Sequence, residues 1–444
     1  MLSVLTFISI GILVLTFCKI KWGAAYLLAA MLLMPEIVIS ISGFIIKKNY
    51  VILIFFLIFF FKYKIRKHLL LDMKPFRFVS VYLFLCLLMI PLQVESNYMT
   101  QLRYFLADFV MILLLPVSFW NILNEYNCSL LFRRIIIVCV IIAAVYGIVL
   151  AATGILNPYT LLFASEFRDN ENLELMMNYY EPGGGRLFGR ISSVCYHPMT
   201  YAFFLGLSFF YVLQIRNKIS NFLYGLLLLL LSVNIIICGV RTLIASMLIT
   251  VIFYLLMLKN FKLMIGAILF AFFSYSIISI TPLSGYIDSI VSPQDSSDEV
   301  SGSSIELRME QFGGAIDEVK NSFLVGKGYA WDREYQEKNG DHPVLLAFES
   351  LIFIIICDNG ILGFFIWGLL IYIYRSYILS KIKERKKQAL FMSFICFYIS
   401  FSCITGEYGY MRTFVLFYTF ILYESSMHPY LLVYGNSGEP LKKS

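Results

Sequence analysis

Apolar residues in this chain fall in long, nearly uninterrupted runs, separated by short polar turns and by two long polar segments. A helix needs about 20 mostly apolar residues to cross a bilayer. Runs of that kind lie roughly at 2–18, 22–41, 45–61, 78–95, 104–121, 135–155, 197–215, 220–238, 241–258, 261–281, 358–376, 388–404 and 411–427. They predict an all-α polytopic membrane protein of about 12–13 transmembrane helices, forming one integral membrane domain. Pro35, Pro91 and Pro116 lie in or near span ends, where neighbouring helices absorb the break. The first run has no basic segment before it and no small-residue cleavage site after it, so it reads as a span and not as a leader.

Composition narrows the class further. The 444 residues are 60% hydrophobic and 14% charged, with a mean hydropathy of +0.80, whereas a soluble domain carries about 25% charged residues. That excludes a soluble enzyme, a secreted disulfide scaffold and a nucleic-acid binder. Cys18, Cys86, Cys139, Cys238, Cys357, Cys396 and Cys403 lie in apolar runs, and the sequence has no CxxC pair and no Cys/His metal spacing. Neither a structural metal nor a cofactor is expected.

Charge sets the orientation. Residues 62–77 carry six bases against one acid, and residues 375–387 carry six against one; both are cytoplasmic by the positive-inside rule. Alternation then puts the long polar segments 156–196 and 282–357 outside. Residues 284–343 have a net charge of −7 and residues 158–196 one of −2, so the working face looks outward.

Loops longer than about 12–15 residues are usually functional or disordered, and these two carry the candidate chemistry. Residues 284–300 read as a flexible lead-in. Ile305, Met309, Phe312, Ile316 and Val319 then recur at helical spacing, predicting an amphipathic helix on the membrane surface or over the bundle, weakened by Gly313–Gly314. Asp341-His342-Pro343 reads as a helix start, so a re-entrant or interfacial helix is predicted from Pro343 to Asp358, ending at Asn359-Gly360 before a true span. Glu349 is its one internal charge, two turns from His342 and on the same face. The first loop ends in Gly183-Gly184-Gly185-Arg186-Leu187-Phe188-Gly189-Arg190, with Arg186 and Arg190 at the mouth of the next span. Arg241 opens a span in the tight outward turn Cys238–Thr242.

The order Arg-x-x-Gly before a span, Arg-Thr opening a span, a long outer loop with Gly-x-Gly, and Gly-Ile-Leu-Gly starting another span resembles the O-antigen ligase and Wzy-type polysaccharide polymerase superfamily. The resemblance covers roughly residues 183–375. It implies a GT-C-like fold in the bacterial cytoplasmic (inner) membrane, and glycosyl transfer from an undecaprenyl-pyrophosphate-linked oligosaccharide without nucleotide sugar, metal or cofactor. A chain-length regulator protein is an implied partner. Arg190 or Arg186, together with Arg241, correspond to the family's paired arginines that hold the pyrophosphate. The ligase branch has a His followed by Asn, Ser or Gln, nine residues, then Gly-x-x-Gly. Here Glu349-Ser350 precedes Gly360-Ile361-Leu362-Gly363 by that spacing, with Glu in place of His, and His342 is seven positions out of register. This departure favours the polymerase branch.

The residue chemistry runs parallel to the resemblance. Arginine forks bind phosphate oxygens bidentately and keep their charge, and a poor hydroxyl nucleophile needs a positioned base. Glu349 within an apolar helix suits the base, with His342 as the other candidate. Arg308 either joins the pyrophosphate site or is neutralised by its acidic neighbours or by Glu349. Arg186, Arg190 and Arg241 could instead anchor at lipid headgroups, and His197 before Pro198 reads as a helix start. Two alternatives to a polymerase stay open. A ligase would deliver glycan to a lipid or protein acceptor, and a flippase or transporter would show related halves and midplane charges. The spans here carry only Glu36 and Asp108 as conspicuous ionisable residues.

Overall fold

In hydrocarbon an apolar run satisfies its backbone groups only by closing on itself as a helix, and the chain does so nearly throughout. The computed structural model describes residues 1–41, 44–65, 71–93, 95–167, 189–259, 262, 265–266 and 305–426. In chain order the helices are α1 (Leu2–Cys18), α2 (Ile20–Leu33), α3 (Lys48–Ile58), α4 (Arg77–Met89), α5 (Tyr98–Asp108), α6 (Leu115–Tyr126), α7 (Ser129–Thr153), α8 (Pro158–Phe167), α9 (Pro198–Gln214), α10 (Asn221–Ile237), α11 (Arg241–Leu258), α12 (Ile305–Glu318), α13 (Trp331–Asn339), α14 (Leu351–Lys381), α15 (Arg385–Thr405) and α16 (Tyr410–Ser426). Among the described residues, strand pairing is confined to a small antiparallel ribbon, Ile39–Ile41 with Phe44–Ile46.

Among the described residues, six stretches are long and apolar enough to cross a membrane: 74–92, 98–126, 129–153, 241–258, 351–381 and 385–405. The helices α1, α2, α9 and α10 are apolar and shorter. The protein is thus an all-α, multi-pass membrane protein, as its apolar runs predict. Of the run predicted at 261–281, only residues 262, 265 and 266 are described. The expected helix start at His197 forms, with His197 Nδ1 accepting from the Met199 N–H (3.1 Å) and Pro198 at the first helical position, and Asn97 Oδ1 likewise caps α5 by accepting from the Met99 N–H (2.9 Å).

Loop contacts sort into two sets, one at each end of the helices. One set joins Lys64 to Asn121 and Glu125, and joins Arg133 and Lys218 to Glu424. The other joins Gln93 to the carbonyls of Val325 and Asp358, Asn157 to Ser192 and Ser193, the Ile191 N–H to the Cys238 carbonyl, and Ser350 to the Cys403 carbonyl. Each of α7, α10 and α15 runs from the first set to the second, and α9, α11, α14 and α16 run back. This is the alternation that the basic loops predict, with the first set at the end that the positive-inside rule assigns to the cytoplasm.

Several local expectations need correction. No helix begins at Pro343: residues 343–350 form tight turns, and α14 starts at Leu351 with Ser350 as its cap. Pro343 closes a turn in which the His342 and Leu346 backbones pair with each other. The predicted break at Asn359-Gly360 is a kink inside α14, where Gly360 has φ +59° and ψ −153°. Glycine is required there, since a Cβ would stand 2.5 Å from the Phe323 carbonyl oxygen. The helix at 305–318 forms as expected, but Ala315 and Val319 face the protein while Met309, Phe312 and Ile316 are exposed. Gly314 brings it against Val344, to which a Cβ would approach within 2.6 Å. The lead-in at 284–300 lies outside the described residues.

On the cytoplasmic side, Glu424 is only 4% exposed and accepts two 2.9 Å bonds from the Arg133 fork and one of 2.6 Å from Lys218. Removing one partner of a buried pair typically costs about 3–5 kcal/mol because the other charge is stranded. Glu424→Ala should therefore lower the melting temperature of the purified protein sharply, and an unchanged melting curve would show that these charges are not mutually dependent.

Candidate functional site

The outer face is organised around one carboxylate. Asp108 is the last residue of α5, about 15 Å down the helix from Tyr98 at 1.5 Å per residue, and it is 1% exposed. The helix continues into α6 through a π turn, Phe109–Leu114, a distortion that often marks functional positions. Three donors from distant parts of the chain converge on it. Tyr329 Oη donates to Oδ2 at 2.9 Å, Arg333 Nη1 to the same oxygen at 3.0 Å, and Arg412 Nε and Nη2 to Oδ1 at 3.1 and 2.7 Å. One buried anion thus holds two cations.

The outer loop reaches this depth because residues 325–330 enter the bundle. Gly326 has φ +71°, and its turn lies against the kink of α14: the Lys327 N–H donates to the Cys357 carbonyl (2.7 Å) and the Gly328 N–H to that of Asp358 (3.2 Å). Gln93 and Gln101 both accept from the Tyr329 N–H at 3.0 Å, and Tyr329 packs edge-on to Phe105. The Asp358 carboxylate caps α13, accepting from the N–H groups of Ala330 and Asp332 at 3.1 Å each. Burial raises the Asp332 carboxyl above its usual range, against the opposing charge of Arg333.

Arg333, Asp358, Glu407, Tyr82, Tyr329 and Trp367 line a cavity of about 40 Å³, large enough for water and too small for a sugar. Glu407 lies between α15 and α16, accepting from the Met411 N–H at 2.9 Å and from Ser402 Oγ at 3.4 Å. Burial pushes its carboxyl up to about 7, against Arg333 and Arg412. An apolar groove of about 400 Å³, lined by Leu83, Phe84, Leu87, Phe105, Leu106 and Phe109, runs beside Asp108 between α4 and α5.

The described residues nominated from sequence, Arg190, Arg241, Arg308, His342 and Glu349, occupy the same side. Arg186 lies outside the described residues. Arg190 and Arg241 are half-buried on neighbouring segments, tied together by the 3.3 Å bond from the Ile191 N–H to the Cys238 carbonyl. Arg308 donates to the Glu349 carbonyl (2.8 Å), the Glu349 carboxylate (3.1 Å), Gln311 (3.1 Å) and the Ile404 carbonyl (3.4 Å). Glu349 is therefore not inside an apolar helix: it stands in the turn before α14, with 39% of its side chain exposed. His342 is buried; Nδ1 accepts from the Val344 and Leu345 N–H groups (3.2 and 3.0 Å) and Nε2 faces Glu318 at 3.2 Å. Both ring nitrogens are occupied in holding the turn. Against burial, Lys327 and His342 keep the Glu318 carboxyl below its usual range. Among the described residues, no group of acidic, His and Cys side chains is placed to hold a metal.

Sequence reasoning passed over Arg333, Arg412, Glu407 and Asp358, and used Asp108 only to count charges in spans. The available signal was Asp108 itself, since an ionisable group at membrane depth is a functional candidate by default. Asp108→Asn keeps an acceptor for Tyr329 but strands Arg333 and Arg412. Hydrogen exchange of residues 328–339 should rise well above wild type in that variant; unchanged protection would mean that the loop is anchored elsewhere.

Among curated proteins, no match to this chain was found. A family model described as O-antigen ligase matches residues 226–368. That stretch begins in α10, contains Arg241, Arg308, His342 and Glu349, and ends beyond the α14 kink. This similarity over 226–368 supports an O-antigen ligase/Wzy-type family assignment for the chain.

Proposed function

We propose that the protein is a polysaccharide polymerase of the bacterial cytoplasmic membrane, joining undecaprenyl-pyrophosphate-linked oligosaccharide units on the outer face. The observation that carries this reading is the family match over 226–368, whose matched residues include a set of arginines and carboxylates on one side of a multi-pass bundle. On this reading Arg190 or Arg186, together with Arg241, takes the pyrophosphate oxygens, whose charge grows as the glycosidic bond breaks, and Arg308 is a further candidate for the same role. The groove beside Phe105 and Phe109 offers an apolar bed for the polyprenyl chain. Glu349, in the register of the ligase branch's His, is the sequence-nominated base. His342 is the weaker candidate, because both of its ring nitrogens are engaged.

One observation favours a second reading within the same chemistry. The matching model is described as a ligase, and a ligase moves glycan to a terminal lipid or protein acceptor instead of to another lipid-linked unit. The two differ in product. Reconstituted protein supplied with the lipid-linked unit alone, without nucleotide sugar or metal, should yield a ladder on a glycan gel if it is a polymerase. A ligase would yield nothing until its acceptor is added. Removing one preorganised donor typically costs about 10²–10³ in turnover, so Arg241→Ala should erase the ladder. Wild type that makes no ladder with native substrate would overturn the polymerase reading, and a full ladder from Arg241→Ala would remove Arg241 from the pyrophosphate site.

A further inference from the structure

The wall that carries Glu349 is shared by a second carboxylate. The Ser350 hydroxyl donates to the Cys403 carbonyl at 2.8 Å, Arg308 reaches the Ile404 carbonyl, and Tyr408 Oη donates to the Ala347 carbonyl at 2.6 Å. Gly406, with φ +93°, lies so close to the turn that a Cβ would meet the Phe348 carbonyl oxygen at 2.6 Å. Between these ties stands Glu407, half-buried and lining the cavity under α13.

The carboxylates Asp108, Glu349 and Glu407 on this face have different surroundings. Asp108 carries two guanidinium groups and a tyrosine hydroxyl, so its lone pairs are spent. Glu349 is ion-paired with Arg308, and a proton arriving there must displace that pair. Among the described residues, Glu407 has two hydrogen-bond partners, the Met411 N–H and the Ser402 hydroxyl, and no cation within ion-pair distance. Facing it are Arg333 from α13, Arg412, Tyr410 and the Asp108 carboxylate, with Tyr82 from α4 and Tyr398 from α15. Asp358 lines the same cavity. Cations near enough to favour the ionised form, but not bonded to it, leave lone pairs available.

We propose that Glu407 is the base that takes the acceptor hydroxyl's proton in the glycosyl transfer, with Asp108 positioning Arg333 and Arg412 around it. This rests on the glycosyl-transfer reading above. In the step, the acceptor oxygen bonds to the anomeric carbon of the donor sugar while the bond from that carbon to the pyrophosphate oxygen breaks. The electron pair leaves on the pyrophosphate, and the proton passes to the Glu407 carboxylate and then to outer water. Burial holds this carboxyl near 7, so it is a competent acceptor above that pH and is already protonated below it. Turnover should therefore fall as the pH drops through about 7.

The test uses the full-length protein in proteoliposomes with an undecaprenyl-pyrophosphate-linked repeat unit, comparing wild type with Glu407→Gln and Glu407→Asp across pH 5.5 to about 9, a range set to bracket the expected limb. Glu407→Gln keeps an oxygen for the Met411 N–H and should fold. It should lose about 10²–10⁴ in turnover with KM for the lipid-linked donor unchanged, and its residual rate should lack the acid limb. Glu407→Asp keeps a carboxylate and should retain measurable turnover with the limb displaced in pH. Wild-type turnover with a Glu407→Gln variant of equal rate and identical pH profile would overturn the assignment of Glu407 while leaving glycosyl transfer intact. A Glu407→Asp limb unmoved from wild type would do the same. Absence of product from wild type itself would instead strike the underlying reading.

Discussion

A carboxylate buried at membrane depth is tolerable only when cations and donors are delivered to it, and Asp108 obtains them from segments more than two hundred residues away. Arg333 comes from the outer loop, Arg412 from the start of α16, and the Tyr329 hydroxyl from the turn that enters the bundle. The outer loop is thereby fastened to the span Tyr98–Tyr126 and to the last helix at once. Everything on the working face depends on this fastening. The α14 kink at Gly360 receives the loop's backbone, Asp358 caps α13, and the cavity shared by Arg333 and Glu407 exists because α13 is held over it.

Electrostatics at the two ends of the helices differ in kind. On the cytoplasmic side, acids and bases are matched in close pairs that fix helix ends, with Glu424 between Arg133 and Lys218 and Lys64 against Glu125. On the outer side, one buried anion serves two arginines, Arg308 is shared between Glu349 and backbone carbonyls, and Arg190 and Arg241 are half-buried. On the proposed reading, arginines here suit a pyrophosphate leaving group, because guanidinium forks keep their charge and act strongly where water is excluded. A poised carboxylate beside them supplies the other half of the chemistry.

Much of the architecture was legible from the sequence. Apolar runs in lipid admit one backbone solution, and basic loops set its sense, so the multi-pass helical fold and its alternation follow directly. Arg308 as a partner for Glu349 was also within reach, since Glu306 and Glu310 beside it already suggested neutralisation. What was not legible is long-range. Asp108 pairs with residues 225 and 304 positions away, and ion pairs of that separation leave no periodic trace in the sequence. The start of α14 was misplaced because Asp-His-Pro has the chemistry of a helix cap. Here His342 spends Nδ1 on the Val344 and Leu345 N–H groups of a tight turn, and the helix waits for Ser350.

The most direct test of the outer face as a lipid-pyrophosphate site is binding, measured before any turnover. Native mass spectrometry of detergent-solubilised protein with an undecaprenyl-pyrophosphate-linked oligosaccharide should show a one-to-one adduct in wild type. The adduct should persist in Glu407→Gln and disappear in the double variant Arg190→Ala/Arg241→Ala. Equal adducts in wild type and in the double variant would contradict the claim that these arginines hold the donor.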